Sequence, residues 1–198
     1  MVRELVLDTE TTGFLPEEGD EVIELAMVEI IDSVVTGKVY HYYFKPSKQI
    51  EISAQNVHSI SIFDLNNKPK FDKTQINKII KDIDGANLII HNAPFDMKFL
   101  NHHFKQYNLN FNDYIGEVID TLAIARYKFP KLRNSLDALC DRFNVNKTIR
   151  EYHGAVVDCQ LLAQVYIELK KEQMILDLNI SNETFLKERQ SITYEKVA

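Results

Sequence analysis

Four acids and one histidine stand where carboxylates and an imidazole could do chemistry. Asp8 and Glu10 close the apolar run Leu5-Val6-Leu7. Two apart on an extended strand, they point to the same face. Strand rise puts them about 5 to 7 Å apart, and like charges at that distance repel unless a cation lies between them. Asp96 falls inside the helical pattern of Phe95, Phe99 and Leu100, and Asp158 inside that of Val156, Leu161, Leu162 and Val165. Clustered hard oxygen donors suit Mg²⁺ or Mn²⁺, and two such ions about 3.5 to 4 Å apart stabilise both the attacking and the leaving oxygen of a phosphoryl displacement. His153, five residues before Asp158, has the near-neutral titration that deprotonating a water requires. Taken singly, each has a plainer reading: Asp8-x-Glu10 as a polar strand end, Asp96 as a solvated helix position, His153 as a cap or loop histidine.

The elements that must position these groups follow from hydrophobic periodicity. Leu5-Val6-Leu7 reads as a buried central strand breaking at Asp8-Thr9-Glu10-Thr11-Thr12-Gly13. Two further strands, from Glu21 to Ile31 and from Val34 to Phe44, complete a meander. Helical periods follow, first Ile60, Phe63 and Leu65, then Phe71, Ile76, Ile79, Ile80 and Ile83 before a stop at Asp84-Gly85. Leu88-Ile89-Ile90 is a short strand running into His91-Asn92-Ala93-Pro94, where Pro suits a first helical turn. Val118 to Thr121 ends another strand, a helix follows through Ala125, and Ser135 caps the next. The helix from Val156 to Leu169 has the strongest pattern, and beyond about 175 no period remains. This order predicts an α/β domain with a mixed central β-sheet flanked by helices, residues 1–174, and a C-terminal tail, 175–198.

Composition narrows the class. The chain has 198 residues, 45% of them apolar, with only 6 Gly and 5 Pro, so it can bury a core. Cys140 and Cys159 offer neither a disulfide framework nor CxxC spacing, which fits a reducing compartment. No apolar run is long enough to span a membrane and no basic leader opens the sequence, so a cytoplasmic protein is expected. The net charge of −6 argues against a protein held on nucleic acid by bulk charge. Residues 126–150 depart from that balance, with Arg126, Lys128, Lys131, Arg133, Arg142, Lys147 and Arg150 against Asp137 and Asp141. That stretch could steer phosphates or be a solvated basic face. The acidic run Glu17-Glu18-Gly19-Asp20-Glu21 reads as a solvated loop, and Cys159 as a packing residue.

Three segments in order, Leu7-Asp8-Thr9-Glu10-Thr11-Thr12-Gly13, His91 to Phe99, and His153-Gly154-Ala155-Val156-Val157-Asp158, resemble the DnaQ-like exonucleases of the ribonuclease H-like superfamily. A histidine five before the last acid, with Gly154 where the tyrosine subclass has its tyrosine, resembles the histidine (DEDDh) subclass. Val57-His58-Ser59-Ile60, Thr121 to Arg126 and Arg133 to Cys140 extend the likeness to the proofreading subunits of bacterial DNA polymerase III, over roughly residues 3 to 172. The resemblance implies a ribonuclease H-like fold and 3′-to-5′ hydrolysis of DNA to nucleoside monophosphates. It assigns Asp8, Glu10, Asp96 and Asp158 to two divalent cations, Mg²⁺ or Mn²⁺, and His153 to the general base.

It also places the terminal nucleotide near Thr11, Thr12, Ser53, Val57, His58, Asn92 and Phe95. Val57 and Phe95 offer apolar contact to a base, while His58 and Asn92 can bond phosphate or sugar. Core packing explains Phe95 as well. Two positions depart from the family pattern: Ser53 stands where relatives often carry an acid, and Ser59 replaces a glycine. The implied partners are a DNA 3′ end, the polymerase III alpha subunit and a sliding clamp at the bacterial replisome. Gln190 to Tyr194 is only faintly like a clamp-binding peptide, lacking an aromatic pair or a Leu-Phe ending. Two other readings stay open: an exoribonuclease or oligoribonuclease of the same superfamily, since the acids do not distinguish the sugar, and a non-catalytic polymerase scaffold, against which the intact set of acids and histidine speaks.

Overall fold

The computed structural model describes residues 2–148 and 154–171. Five strands form one mixed sheet in the order β3-β2-β1-β4-β5. Strands β1 (Arg3–Thr11), β2 (Val22–Ile31) and β3 (Val34–Tyr43) form an antiparallel meander, and β4 (Asn87–Ile90) and β5 (Val118–Asp120) add in parallel on the other side of β1. The expected fold class is the one observed.

β1 is central and covered on both faces, which is why its apolar residues run without interruption. Leu5 and Leu7 pack with α2 (Lys73–Ile83) and α3 (Ala93–Lys105) through Ile76, Ile79, Phe99 and Phe104. Val6 packs the opposite way, on Ala155, Cys159, Leu162 and Tyr166 of the last described helix, α6 (155–171). Beyond α6, Ala125 of α4 (Thr121–Lys128) and Leu139 and Cys140 of α5 (Leu136–Arg142) close a smaller core. Burying each of these large apolar side chains is worth about 1.5 to 3 kcal/mol. Both cysteines are buried and free, and burial pushes the Cys159 thiol up, as a packing role requires.

Local signals set the helix starts. Asp72, Asp120 and Ser135 each accept a backbone N–H from the first turn of the helix that follows. Pro94 occupies the first turn of α3 as expected. One element departs from the periodicity. The short helix after the meander is α1 (Ile52–His58), and Ile60, Phe63 and Leu65 lie in the turns beyond it. Only Ala54 and His58 of α1 are buried, so it shows almost no apolar stripe. Ser59 ends α1 with φ of +59°, the left-handed conformation glycine adopts most readily, so its departure from the pattern affects only a turn.

Candidate active site

The C-terminal end of β1 and the first turns of α3 and α6 converge on one edge of the sheet. Ligand-capable oxygens of Asp8, Glu10 and Asp158 lie within 4.8 Å of one another. Asp8 and Glu10 come from alternate positions of β1, whose pairing with β2 shifts register between Glu10 and Thr11. Asp158 approaches from α6 and is 5% exposed. Asp96, only 3% exposed, sits in the first turn of α3, where the Thr9 hydroxyl donates to its Oδ1 at 2.7 Å. Its burial excludes the solvated helix position.

The crowding is costly without a counter-charge. Burial, then the negative charges of Asp96, Glu10, Asp158 and Glu24, hold the Asp8 carboxyl well above the usual carboxylate range. Burial likewise pushes Asp96 up to about 7, against the hydrogen bond from Thr9. Three carboxylates from two elements, with oxygens close enough to share an ion, are a donor set that fits a hard divalent cation.

Across the strand pair, Glu24 faces Glu10. It is buried and spans three elements. Oε1 accepts from His41 Nε2 at 2.7 Å on β3, and Oε2 accepts the Ala155 backbone N–H at 3.1 Å, at the start of α6. This side chain therefore ties the N-terminus of the Asp158 helix to the sheet. His153 lies outside the described residues, two positions before that N–H. On the α3 side, Asp120 accepts from the backbone N–H groups of Asn92, Leu122 and Ala123, fixing the starts of α3 and α4 with one carboxylate. The bond to Asn92 stands where the chain turns into α3 with φ of +72°.

Two cavities flank the acids. A small one of about 70 Å³ is lined by Thr9, Glu10, Thr11, Gly13, Phe14, Ala54, Val57, His58 and Phe95. It gathers four of the expected contacts, Thr11, Val57, His58 and Phe95, and Phe95 packs on the core as well. Nδ1 of His58 accepts the Ile60 N–H at 2.9 Å, which leaves the proton on Nε2. Three expected contacts lie elsewhere. Thr12 is fully buried behind the wall, with its hydroxyl on Asp20; Ser53 is exposed, with its hydroxyl near Glu51; Asn92 is exposed at the start of α3. Phe14, 57% exposed and 6.4 Å from the Phe95 ring, escaped the sequence reading. An aromatic just past a polar turn was its signal.

The larger cleft, about 790 Å³, opens on the other side of Asp8 and Asp158 and is lined by His91, Arg126, Lys131, Leu132 and Asn134 among others. The basic stretch resolves here into two parts. Arg126 and Lys131 face the cleft. Lys147 pairs with Asp141, Lys128 bonds the Leu169 carbonyl, and Arg142 bonds Asn134 and the Arg133 carbonyl while stacking on Phe129. Three of the seven basic side chains are thus engaged within the fold, and Arg150 lies outside the described residues. The acidic run is corrected as well. Asp20 is buried and bonded rather than solvated, because Lys48 and Thr12 reach it from two sides.

Comparison with known proteins agrees with this geometry. Residues 5–166 match the family model RNase_T, described as Exonuclease. The DNA polymerase III subunit epsilon of Rickettsia prowazekii (strain Madrid E) is 46% identical over 171 residues, 85% of this chain and 74% of that protein. The subunit epsilon of Pasteurella multocida (strain Pm70) is 44% identical over 179 residues, 88% and 70% of the two chains. Among solved structures, Exonuclease X in complex with 5′ overhanging duplex DNA superposes with a TM-score of 0.66 at 26% identity, over 87% of this chain and 92% of that one. The nuclease domain of 3′hExo, a DEDDh family member bound to rAMP, shares the fold, with a TM-score of 0.73 at 17% identity over 86% and 92% of the two chains. Divalent metal use is common to this family, and no helix among the described residues is long and apolar enough to cross a membrane. The chain belongs to the Exonuclease family, as a 3′-to-5′ exonuclease of the kind found in DNA polymerase III epsilon subunits.

Proposed function

We propose that the chain is the proofreading exonuclease of a replicative DNA polymerase, acting on a single-stranded or frayed DNA 3′ end in the cytoplasm. The observation that carries the chemistry is the convergence of Asp8, Glu10 and Asp158 within 4.8 Å at one edge of the sheet. With Asp96, these residues would hold two Mg²⁺ or Mn²⁺ ions. When bound, the ions supply the positive charge that a phosphodiester needs while its phosphorus is attacked. Thr11, Val57, His58 and Phe95 enclose the terminal nucleotide, with His58 Nε2–H as a donor to it. Arg126 and Lys131 draw the phosphates of the upstream strand into the larger cleft. His153 takes the proton from the attacking water, and Glu24 holds the start of α6, the helix that carries Asp158.

The exonuclease domain spans 1–174 on this reading, and the tail 175–198, outside the described residues, would bind the polymerase alpha subunit or the sliding clamp. The 5′-labelled DNA and RNA oligomers of one sequence, incubated with Mg²⁺ and with chelator, test the proposal. A stepwise ladder on DNA, abolished by chelator, is expected. A ladder confined to RNA would favour the ribonuclease reading, and none on either the scaffold.

A further inference from the structure

We infer that Asp20 and Lys48 form a clasp that sets the spacing between the two walls of the small cavity, making Asp20 a positioning residue for the terminal nucleotide. The inference rests on the reading of that cavity as the nucleotide site. One wall is the β1 end and the loop after it, Thr11, Gly13 and Phe14; the other is α1, through Ala54, Val57 and His58. Neither Asp20 nor Lys48 lines the cavity, so neither touches what it holds.

Asp20 is 3% exposed, in a loop whose composition predicts a solvated acid. Its Oδ1 accepts from the Thr12 hydroxyl at 3.0 Å and from Lys48 Nζ at 2.6 Å, and Oδ2 accepts the Leu15 N–H at 2.9 Å. The carboxylate therefore brackets Gly13 and Phe14, binding the residue before them and the residue after them. A Cβ on Gly13 would lie 2.5 Å from this carboxylate, so the loop closes on Asp20 only because residue 13 has no side chain. Thr12 reaches onward: its hydroxyl accepts the Glu21 N–H at 3.0 Å, and its carbonyl accepts the Glu51 N–H at 2.8 Å.

The last of these bonds joins the walls. Glu51 is the N-cap residue of α1, and Lys48 lies three residues before it. One buried carboxylate thus fastens the first wall and, through Lys48 and Thr12, the segment that launches the second. An ion pair buried on the acid's side and held by two further donors restrains geometry far more than an exposed pair does. A second tie, Lys98 Nζ to Glu17 at 2.9 Å, links the same loop to α3 but lies in solvent and contributes little.

The test uses the full chain with the substitutions Asp20→Asn, Lys48→Met and Lys48→Arg, and Glu29→Gln as a control at a buried carboxylate on the opposite end of the sheet. Steady-state cleavage of 5′-labelled single-stranded DNA gives kcat and KM, inhibition by dTMP reports occupancy of the cavity, and thermal unfolding reports stability. Asp20→Asn and Lys48→Met are expected to raise KM and the dTMP inhibition constant together, about tenfold, with kcat changed less. Lys48→Arg should restore both. Glu29→Gln should lower the melting temperature and leave both constants alone. Lys48→Met, at a side chain one-third exposed, keeps the test open if Asp20→Asn does not fold. Clasp variants that melt earlier but keep wild-type KM and dTMP inhibition, or that lose kcat alone, overturn the inference. A wild-type chain that cleaves no DNA refutes the functional reading instead, so the two failures are distinct.

Discussion

The two ends of β1 arrange their acids differently, dispersed at one end and gathered at the other. At its start, Glu4 accepts from the Tyr166 hydroxyl at 2.6 Å and from Lys170 at 3.3 Å. Its neighbour Arg3 bonds Glu29 at 2.8 Å and caps the end of α2 through the carbonyls of Asp82 and Ile83. Each acid there has a cation or hydroxyl supplied by the chain. Four residues after Glu4, Asp8 begins a group in which three carboxylates, Asp8, Glu10 and Asp158, face one another within 4.8 Å, with Asp158 buried and Asp8 half-buried. Burial alone therefore does not mark the site. The convergence of like charges does, because carboxylates held within 4.8 Å of one another favour a cation between them.

Removing single acids should separate the two ends most sharply. Asp8→Asn or Asp158→Asn is expected to lower kcat on the order of 10³-fold, the scale seen when one electrostatic group is lost from an active site, while the metal-free protein melts no earlier than wild type. Arg3→Ala, at the other end, should cost about 2 to 4 kcal/mol of stability by stranding Glu29 and two helix-end carbonyls. Its kcat should stay near wild type. The readouts are steady-state cleavage and thermal unfolding in chelator.

The ends should also respond oppositely to pH. Asp96 sits at about 7 and Asp8 well above the ordinary range, so both bind protons more tightly folded than unfolded. The stability they contribute is present below about pH 4 and is lost as pH rises through about 7 in metal-free protein. Glu29, held below the ordinary range by Arg3 and Thr36, contributes stability above about pH 4.5 that disappears on acidification. The rise in melting temperature on adding Mn²⁺ should therefore be larger at pH 8 than at pH 5, and Asp96→Asn should flatten the difference. Equal rises at both pH values would contradict the assignment.

Smaller effects sharpen the division of the basic stretch. Arg126→Ala, in the cleft, should raise KM several-fold and weaken its dependence on salt, whereas Lys147→Ala, paired on the far side with Asp141, should leave KM unchanged.

What the sequence made legible follows from how each group is specified. Asp8 and Glu10 could be placed because a period of two along one strand fixes their common face, and Asp158 because it belongs to a strongly periodic helix. The clasp of Asp20 and the strut of Glu24 were not legible. Their bonds span from 5 to 28 residues in one case and 17 and 131 in the other, and nothing local distinguishes a buried acid in a loop from a solvated one. The position of α1 was hidden for a related reason: a helix that buries two residues writes no stripe into the sequence. Phe95 was readable both as core and as contact; it packs on the core and lines the small cavity.

The central claim is that the carboxylates gathered at the far end of β1 hold a divalent cation. Titration of the metal-free full chain with Mn²⁺, followed by electron paramagnetic resonance of the free ion, tests it directly when run beside Asp158→Asn. The expected result is tight uptake of Mn²⁺ by the wild type and a loss of at least tenfold in affinity for the variant. Uptake of equal strength by both proteins would contradict it.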